Sequence, residues 1–177
     1  MTTKVIFLDI DGVITSPRVG WHRFDVYAVQ FLNWLCKEVD AKIVISSTWR
    51  YNHPKEEFEQ FFTAIHEDWR TSITLLTNGS NCRGDEIALW LNNHPEVTQY
   101  VILDDDQDML DTQLPYCVFT DHENGLQWRD MMQVKLLFDI DVIPYNADLT
   151  DLPPAQAVHD QINRLRNRTS NSKIKFT

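Results

Sequence analysis

The sequence predicts an α/β fold: a parallel sheet with helices on both faces. Three observations carry this expectation. Short apolar runs, Val5-Ile6-Phe7-Leu8, Lys42-Ile43-Val44-Ile45 and Tyr100-Val101-Ile102-Leu103, read as strands buried on both faces. Segments with helical spacing of apolar residues separate them. Each run ends in polar groups: the Asp9/Asp11 pair before Gly12, the Ser46/Ser47 pair, and Asp104-Asp105-Asp106.

At 177 residues the chain has room for one domain with a proper core, or one with a small appendage. Its apolar fraction of 43% and six tryptophans suit a globular fold. The formal charge of -10 argues against broad electrostatic capture of nucleic acid, and leaves room for a local basic patch. Cys36, Cys82 and Cys117 are scattered and odd in number, so they form neither a metal-ligand pair nor a disulfide framework. Reduced thiols in a cytoplasmic protein are the simplest account. Met-Thr-Thr-Lys runs straight into the first strand, with no signal-type segment and no membrane-length apolar run, so no membrane role is expected.

Each element has its own signal. Side chains alternate along the first strand, so Asp9 and Asp11 leave its C-terminal end on the same side. Gly12 frees the turn that follows. Residues 14–23 form a loop with Pro17 and Gly20. Residues 25–39 form a helix whose apolar face is Val29, Leu32 and Leu35, widened by Trp34 and Cys36. With the strand at 42–45, this completes a right-handed parallel crossover. Asn52-His53-Pro54 breaks the chain, and residues 55–66 read as a helix with Phe58, Phe61, Phe62 and Ile65 on one face. Residues 73–76 form a short strand or an extended connection. Residues 85–93 form a helix that His94-Pro95 ends. Residues 117–119 are the last core strand, and 125–138 a final helix. The core domain is then 1–139. Residues 140–177, interrupted by Pro144, Pro153 and Pro154 and basic from 164 to 175, form an appendage packed on the core or a tail, with a helix at 155–166.

In an open α/β sheet, ligands sit at the C-terminal strand ends. Parallel neighbouring strands would bring the three polar tips to one edge. There, carboxylates suit Mg²⁺, and hydroxyls suit an oxyanion. Arg83, in Cys82-Arg83-Gly84-Asp85-Glu86, adds a cation that balances the acids and suits phosphate oxygens. Asp and Gly are also common turn residues, so the Asp9/Asp11 tip alone is equally a surface turn. The agreement of the later features favours a site.

These residues carry a family resemblance. The chain resembles a haloacid dehalogenase (HAD) superfamily phosphatase over roughly residues 4–139. Phe7-Leu8-Asp9-Ile10-Asp11-Gly12-Val13 matches the first motif, Val44-Ile45-Ser46 the second, Arg83 the third, and Val101-Ile102-Leu103-Asp104-Asp105 the fourth. The wording Ile45-Ser46-Ser47-Thr48-Trp49-Arg50 and Arg83-Gly84-Asp85-Glu86-Ile87 is similar to HAD domains associated with RNA-repair proteins. It is similar, more loosely, to 5′(3′)-deoxyribonucleotidases.

The resemblance implies a Rossmann-like sheet and a set of roles. Asp9 would be the nucleophile that forms an aspartyl-phosphate, and Asp11 the acid and base. Asp9, Asp104, Asp105 and the backbone carbonyl of Asp11 would hold Mg²⁺. Ser46 and Arg83 would contact the phosphoryl group. The residues leave alternatives open: Ser47 in place of Ser46, Arg50 in place of Arg83. Trp49, with Trp21, would stack on a base or serve as a core or rim aromatic. His22 and His53 read as surface residues.

Neither interval where this superfamily inserts a cap is long enough for a large one, so the expected site is nearly open. Such a site admits a phosphate on a polymer end, on a protein or on a nucleotide, and the resemblance to RNA-repair domains favours a phosphorylated nucleotide or nucleic-acid end. A sugar-phosphate phosphatase and a non-catalytic binding protein on the same fold are the competing readings.

Overall fold

The computed structural model describes residues 3–20, 23–72 and 82–138. Five parallel strands form one sheet in the order β3-β2-β1-β4-β5. The strands are β1 (Thr3–Leu8), β2 (Ala41–Ile45), β3 (Ile65–Arg70), β4 (Val97–Asp104) and β5 (Cys117–Phe119). The helices are α1 (Val26–Val39), α2 (Lys55–Glu59), α3 (Arg83–Asn93) and α4 (Trp128–Leu137). This is the expected Rossmann-like arrangement, and among the described residues there is no large cap.

Connection handedness places the helices. From β1 the chain steps one way to β2, and from β3 it steps back across the sheet to β4. Right-handed crossovers therefore put α1 and α3 on opposite faces. On the α3 face, Ile87 and Trp90 pack with Val5, Phe7, Val44 and Ile102, and the Phe7 and Trp90 rings meet edge to face at 5.3 Å. The alternate residues Ile6, Leu8, Ile43, Ile45, Val101 and Leu103 point to the other face and are fully buried. There α1 packs on β2 and against α4, which in turn packs on β5. The sequence-based boundaries of these helices hold to within a few residues. Asp25 is the N-cap of α1, accepting from the Tyr27 N–H at 2.9 Å. Gln127 and Asp130 form a capping box that starts α4 after Gly125.

One expectation fails. The helix expected over 55–66 ends at Glu59, and Ile65–Arg70 is instead the edge strand β3 beside β2. Asn33 accepts from the Thr63 N–H at 3.0 Å, and Ala64 O accepts from Ile43 N at 2.8 Å. Both bonds set the chain on course for sheet pairing. The free edge of β2 supplies partners that a longer helix would not satisfy, so tertiary pairing overrides the aromatic periodicity. The expected strand at 73–76, Trp21, His22 and the whole of residues 140–177 lie outside the described residues.

Candidate active site

β1 is central, and its register with both neighbours is set by core residues: Leu8 lies opposite Ile45 on β2 and opposite Leu103 on β4. The next residues, Asp9, Ser46 and Asp104, therefore emerge at one level. Asp9 N donates to Leu103 O at 2.9 Å, and Ser46 N donates to Leu8 O at 3.0 Å. The strand order reverses between β1 and β4, which makes this the topological switch point where open α/β sheets place their ligands.

Carboxylate oxygens of Asp9, Asp104 and Asp105 lie within 4.8 Å of one another. Asp9 is 5% exposed and Asp104 is fully buried. Arg83 at the head of α3 bridges two of them, with Nη1 at 2.6 Å from Asp9 and 2.8 Å from Asp104. Gln113 and Gly84 hold that helix end in place: Gln113 Nε2 donates to Gly84 O at 2.8 Å. A Cβ on Gly84 would lie 2.5 Å from Leu110 N, so only glycine allows the approach. Asp105 meets His122 Nδ1 at 2.5 Å.

The electrostatics of this cluster are unbalanced. Burial raises the pKa of Asp9, while Arg83 and a hydrogen bond from the Ser47 side chain pull it down. Burial pushes Asp104 up to about 8; Asp9 adds to the shift and Arg83 opposes it. Burial lowers the pKa of Arg83, but Asp9 and Asp104 together outweigh it and hold the guanidinium charged. Arg83 thus faces Asp9 and Asp104, while Asp105 meets His122. A hard divalent cation fits this donor set, since oxygens of three carboxyl groups converge within 4.8 Å.

Asp11 sits apart from that cluster. Its Oδ1 accepts from Thr15 Oγ1 at 2.8 Å and its Oδ2 from Trp49 Nε1 at 2.8 Å. Its side chain is thus turned toward Thr15 and Trp49, outside the group of three acids. Trp49 lies on a 3-10 turn, Thr48–Tyr51, which Ser47 opens by accepting from the Trp49 N–H.

The sequence-predicted residues divide. Asp9, Asp104, Asp105, Arg83 and Ser47 come together, with Asp11 and Trp49 alongside. Ser46 follows β2 at the same level, and its buried Oγ has no hydrogen-bond partner among the described residues. Arg50 does not join them. It is 2% exposed and donates to Glu86, the Tyr51 hydroxyl, Ser46 O and, at 2.9 Å, Thr71 O. Its donors are spent inside the protein, which makes it a tie between the 3-10 turn and α3 rather than a substrate contact. His53 is a partial exception to its surface reading, since it stacks on Trp49 with ring centroids 4.7 Å apart.

Sequence reasoning missed Thr15 and the indole N–H as partners of Asp11, Glu86 as the partner of Arg50, and His122 beside Asp105. Only Glu86 left a signal, an acid in the first turn of a helix that follows the Arg83 motif.

A Rossmann-like parallel sheet with paired acids at its switch point and an arginine opposite defines a HAD-type domain. The chain matches the family described as the HAD domain in Swiss Army Knife RNA repair proteins over residues 5–131, and it belongs to that family. By class it is a phosphatase-type hydrolase tied to RNA repair. No curated protein and no solved structure matches the chain. Among the described residues, no helix is long and apolar enough to cross a membrane.

Proposed function

We propose that this protein is a Mg²⁺-dependent phosphomonoesterase that works through an aspartyl-phosphate and acts on a nucleotide or a phosphorylated nucleic-acid end. The observation that carries the reading is the convergence of Asp9, Asp104 and Asp105 within 4.8 Å, with Arg83 bridging two of them.

Asp9 is the nucleophile. Its oxygen bonds to phosphorus as the ester P–O bond breaks, and Asp11 gives its proton to the departing alkoxide. In the second half, Asp11 takes a proton from water, the water oxygen bonds to phosphorus, and the Asp9–phosphorus bond breaks. Thr15 and Trp49 hold the Asp11 carboxyl in one orientation throughout. Arg83 offsets charge on the phosphoryl oxygens. Ser46 Oγ, buried and unpartnered among the described residues, is a ready donor to one of them. Ser47 orients Asp9. Asp9, Asp104, Asp105 and the Asp11 carbonyl would hold Mg²⁺, which supplies the positive charge that lets a carboxylate approach a phosphate dianion. Positioning and charge stabilisation dominate phosphoryl transfer, so this inventory is sufficient.

The nucleic-acid substrate class rests on the family and on the absence of a large cap over the described strand ends. We place the protein in the cytoplasm, in keeping with three free cysteines. The test is phosphate release from 3′ and 5′ nucleotides and from oligonucleotides phosphorylated at either end. Release that chelator and Asp9→Asn both abolish supports the reading. Release that survives Asp9→Asn overturns it.

A further inference from the structure

Two neighbouring cavities share Trp49 and His53 in their lining, and the larger reaches Asp11. The first, about 510 Å³, is bounded by Asp11, Thr48, Trp49, Tyr51, Asn52 and His53. The second, about 160 Å³, is bounded by Phe24, Trp49, His53, Glu57, Phe58 and Phe61. The second is an aromatic recess. Phe24 lies 5.6 Å from Trp49 and 4.6 Å from Phe61, ring centroid to centroid. A hydrogen bond between His53 Nδ1 and Glu57, at 2.7 Å, fixes the imidazole that stacks on Trp49.

We propose that this recess binds the base of a nucleotide whose phosphate lies at Asp9. The assignment rests on the phosphatase reading above and adds the part of the substrate that leaves. Trp49 joins the two halves of the argument. Its Nε1 donates to the carboxylate that protonates the leaving group, and its ring forms a wall of the recess. A group departing from phosphorus past Asp11 enters the larger cavity, which shares Trp49 and His53 with the recess.

The lining selects the occupant. Flat aromatic walls favour a flat ring system, which stacks on them whatever its sequence identity. None of the described residues bounding either cavity is Lys or Arg, while Asp11 and Glu57 are acidic. A second phosphate is thus disfavoured there, and an uncharged base is suited. Asn52 at the rim adds a donor and an acceptor for base edges. Phe61 is 43% exposed, so its ring is accessible to an occupant of the recess. Phe58, at 1%, supplies the rigid floor.

The experiment measures binding apart from catalysis. Adenosine and uridine monophosphates and ribose 5-phosphate are titrated by calorimetry into the full chain carrying Asp9→Asn, with Mg²⁺ present. The nucleotides are expected to bind about five- to one-hundred-fold more tightly than ribose 5-phosphate, the value of one stacked base. Adding Phe61→Ala should shrink that ratio several-fold, and Phe61→Tyr should restore it, with melting temperatures confirming that each variant folds. Equal binding of nucleotide and sugar phosphate overturns the proposal. So does a preference that Phe61→Ala leaves intact. Failure of the phosphatase reading looks different: the base-dependent binding persists, while wild-type protein releases no phosphate that depends on Asp9.

Discussion

The indole nitrogen of Trp49 donates to Asp11 Oδ2 at 2.8 Å, across 38 residues of sequence. The contact ties the 3-10 turn after β2 to the carboxylate after β1. It holds the Asp11 side chain outside the Asp9–Asp104–Asp105 group, where the proposed mechanism needs an acid for the leaving group.

Trp49→Phe keeps a ring but deletes this donor. One hydrogen bond to a charged group contributes about 1.5 kcal/mol, close to tenfold in rate. The variant should lose about tenfold in kcat on nucleotides, whose alkoxides need protonation to depart. On an aryl phosphate with a good leaving group the loss should be much smaller. A purely structural role for Trp49 would lower both rates alike, so parallel kcat measurements on the two substrates decide it.

Arg50 and Glu86 form a buried pair, 2% and 9% exposed at their side chains. Burial pushes the pKa of Glu86 up and that of Arg50 down, and each counters the other's shift. Removing one partner strands the other, at a cost of about 3 kcal/mol. Arg50→Met or Glu86→Gln alone should therefore destabilise by about that much. The double variant should cost clearly less than the sum, because no stranded charge remains. Urea melts of the four proteins measure the coupling, and additive losses would contradict it.

Much of this site was legible in the sequence because strand tips announce themselves. Residues that leave a buried parallel strand must find a role, and Asp9, Ser46 and Asp104 each follow an unbroken apolar run. Arg83 was legible from its place at a helix start. The partners were not. Thr15 and Trp49 reach Asp11 through loop geometry, which no periodicity encodes. Arg50 reads as a substrate contact, an alternative to Arg83, until the structure shows Glu86, Tyr51 and two carbonyls around it. β3 was misread because an edge strand is only half covered, and Ile-His-Glu-Asp-Trp-Arg carries no apolar run to mark it.

Asp104 makes stability depend on pH and on metal together. Its carboxyl rises from an ordinary value of 3.8 to about 8, mainly through burial. Folding therefore tightens its hold on a proton. The resulting stability is present in full below about pH 4 and is lost as pH rises toward about 8. Asp104→Asn removes the ionisation cost. In chelator the variant should melt higher than wild type at alkaline pH, by several degrees, with the difference closing toward pH 4. Mg²⁺ should raise the wild-type melting temperature at alkaline pH and leave the variant almost unmoved. Thermal melts from pH 4 to 9, with Mg²⁺ or with chelator, give both signs. An alkaline wild type that matches the variant without metal would refute the raised Asp104 pKa.

Gly12 stands where the backbone and a candidate metal ligand come closest. Its φ of +72° lies in the left-handed region, and an added Cβ would sit 2.2 Å from the Asp105 carboxyl. Thr120 Oγ1 donates to Gly12 O at 2.8 Å, which holds the turn against β5. Gly12→Ala should thus act twice. The left-handed backbone costs about 1 kcal/mol for a residue with a Cβ, which lowers the melting temperature by a few degrees. The displaced Asp105 carboxyl weakens the three-acid cluster, so the Mg²⁺ concentration for half-maximal phosphate release should rise about tenfold or more, with kcat recovering at saturating metal. Backbone strain alone would lower stability and leave the metal requirement unchanged. A Mg²⁺ titration of activity, set beside a thermal melt of the same variant, separates the two effects.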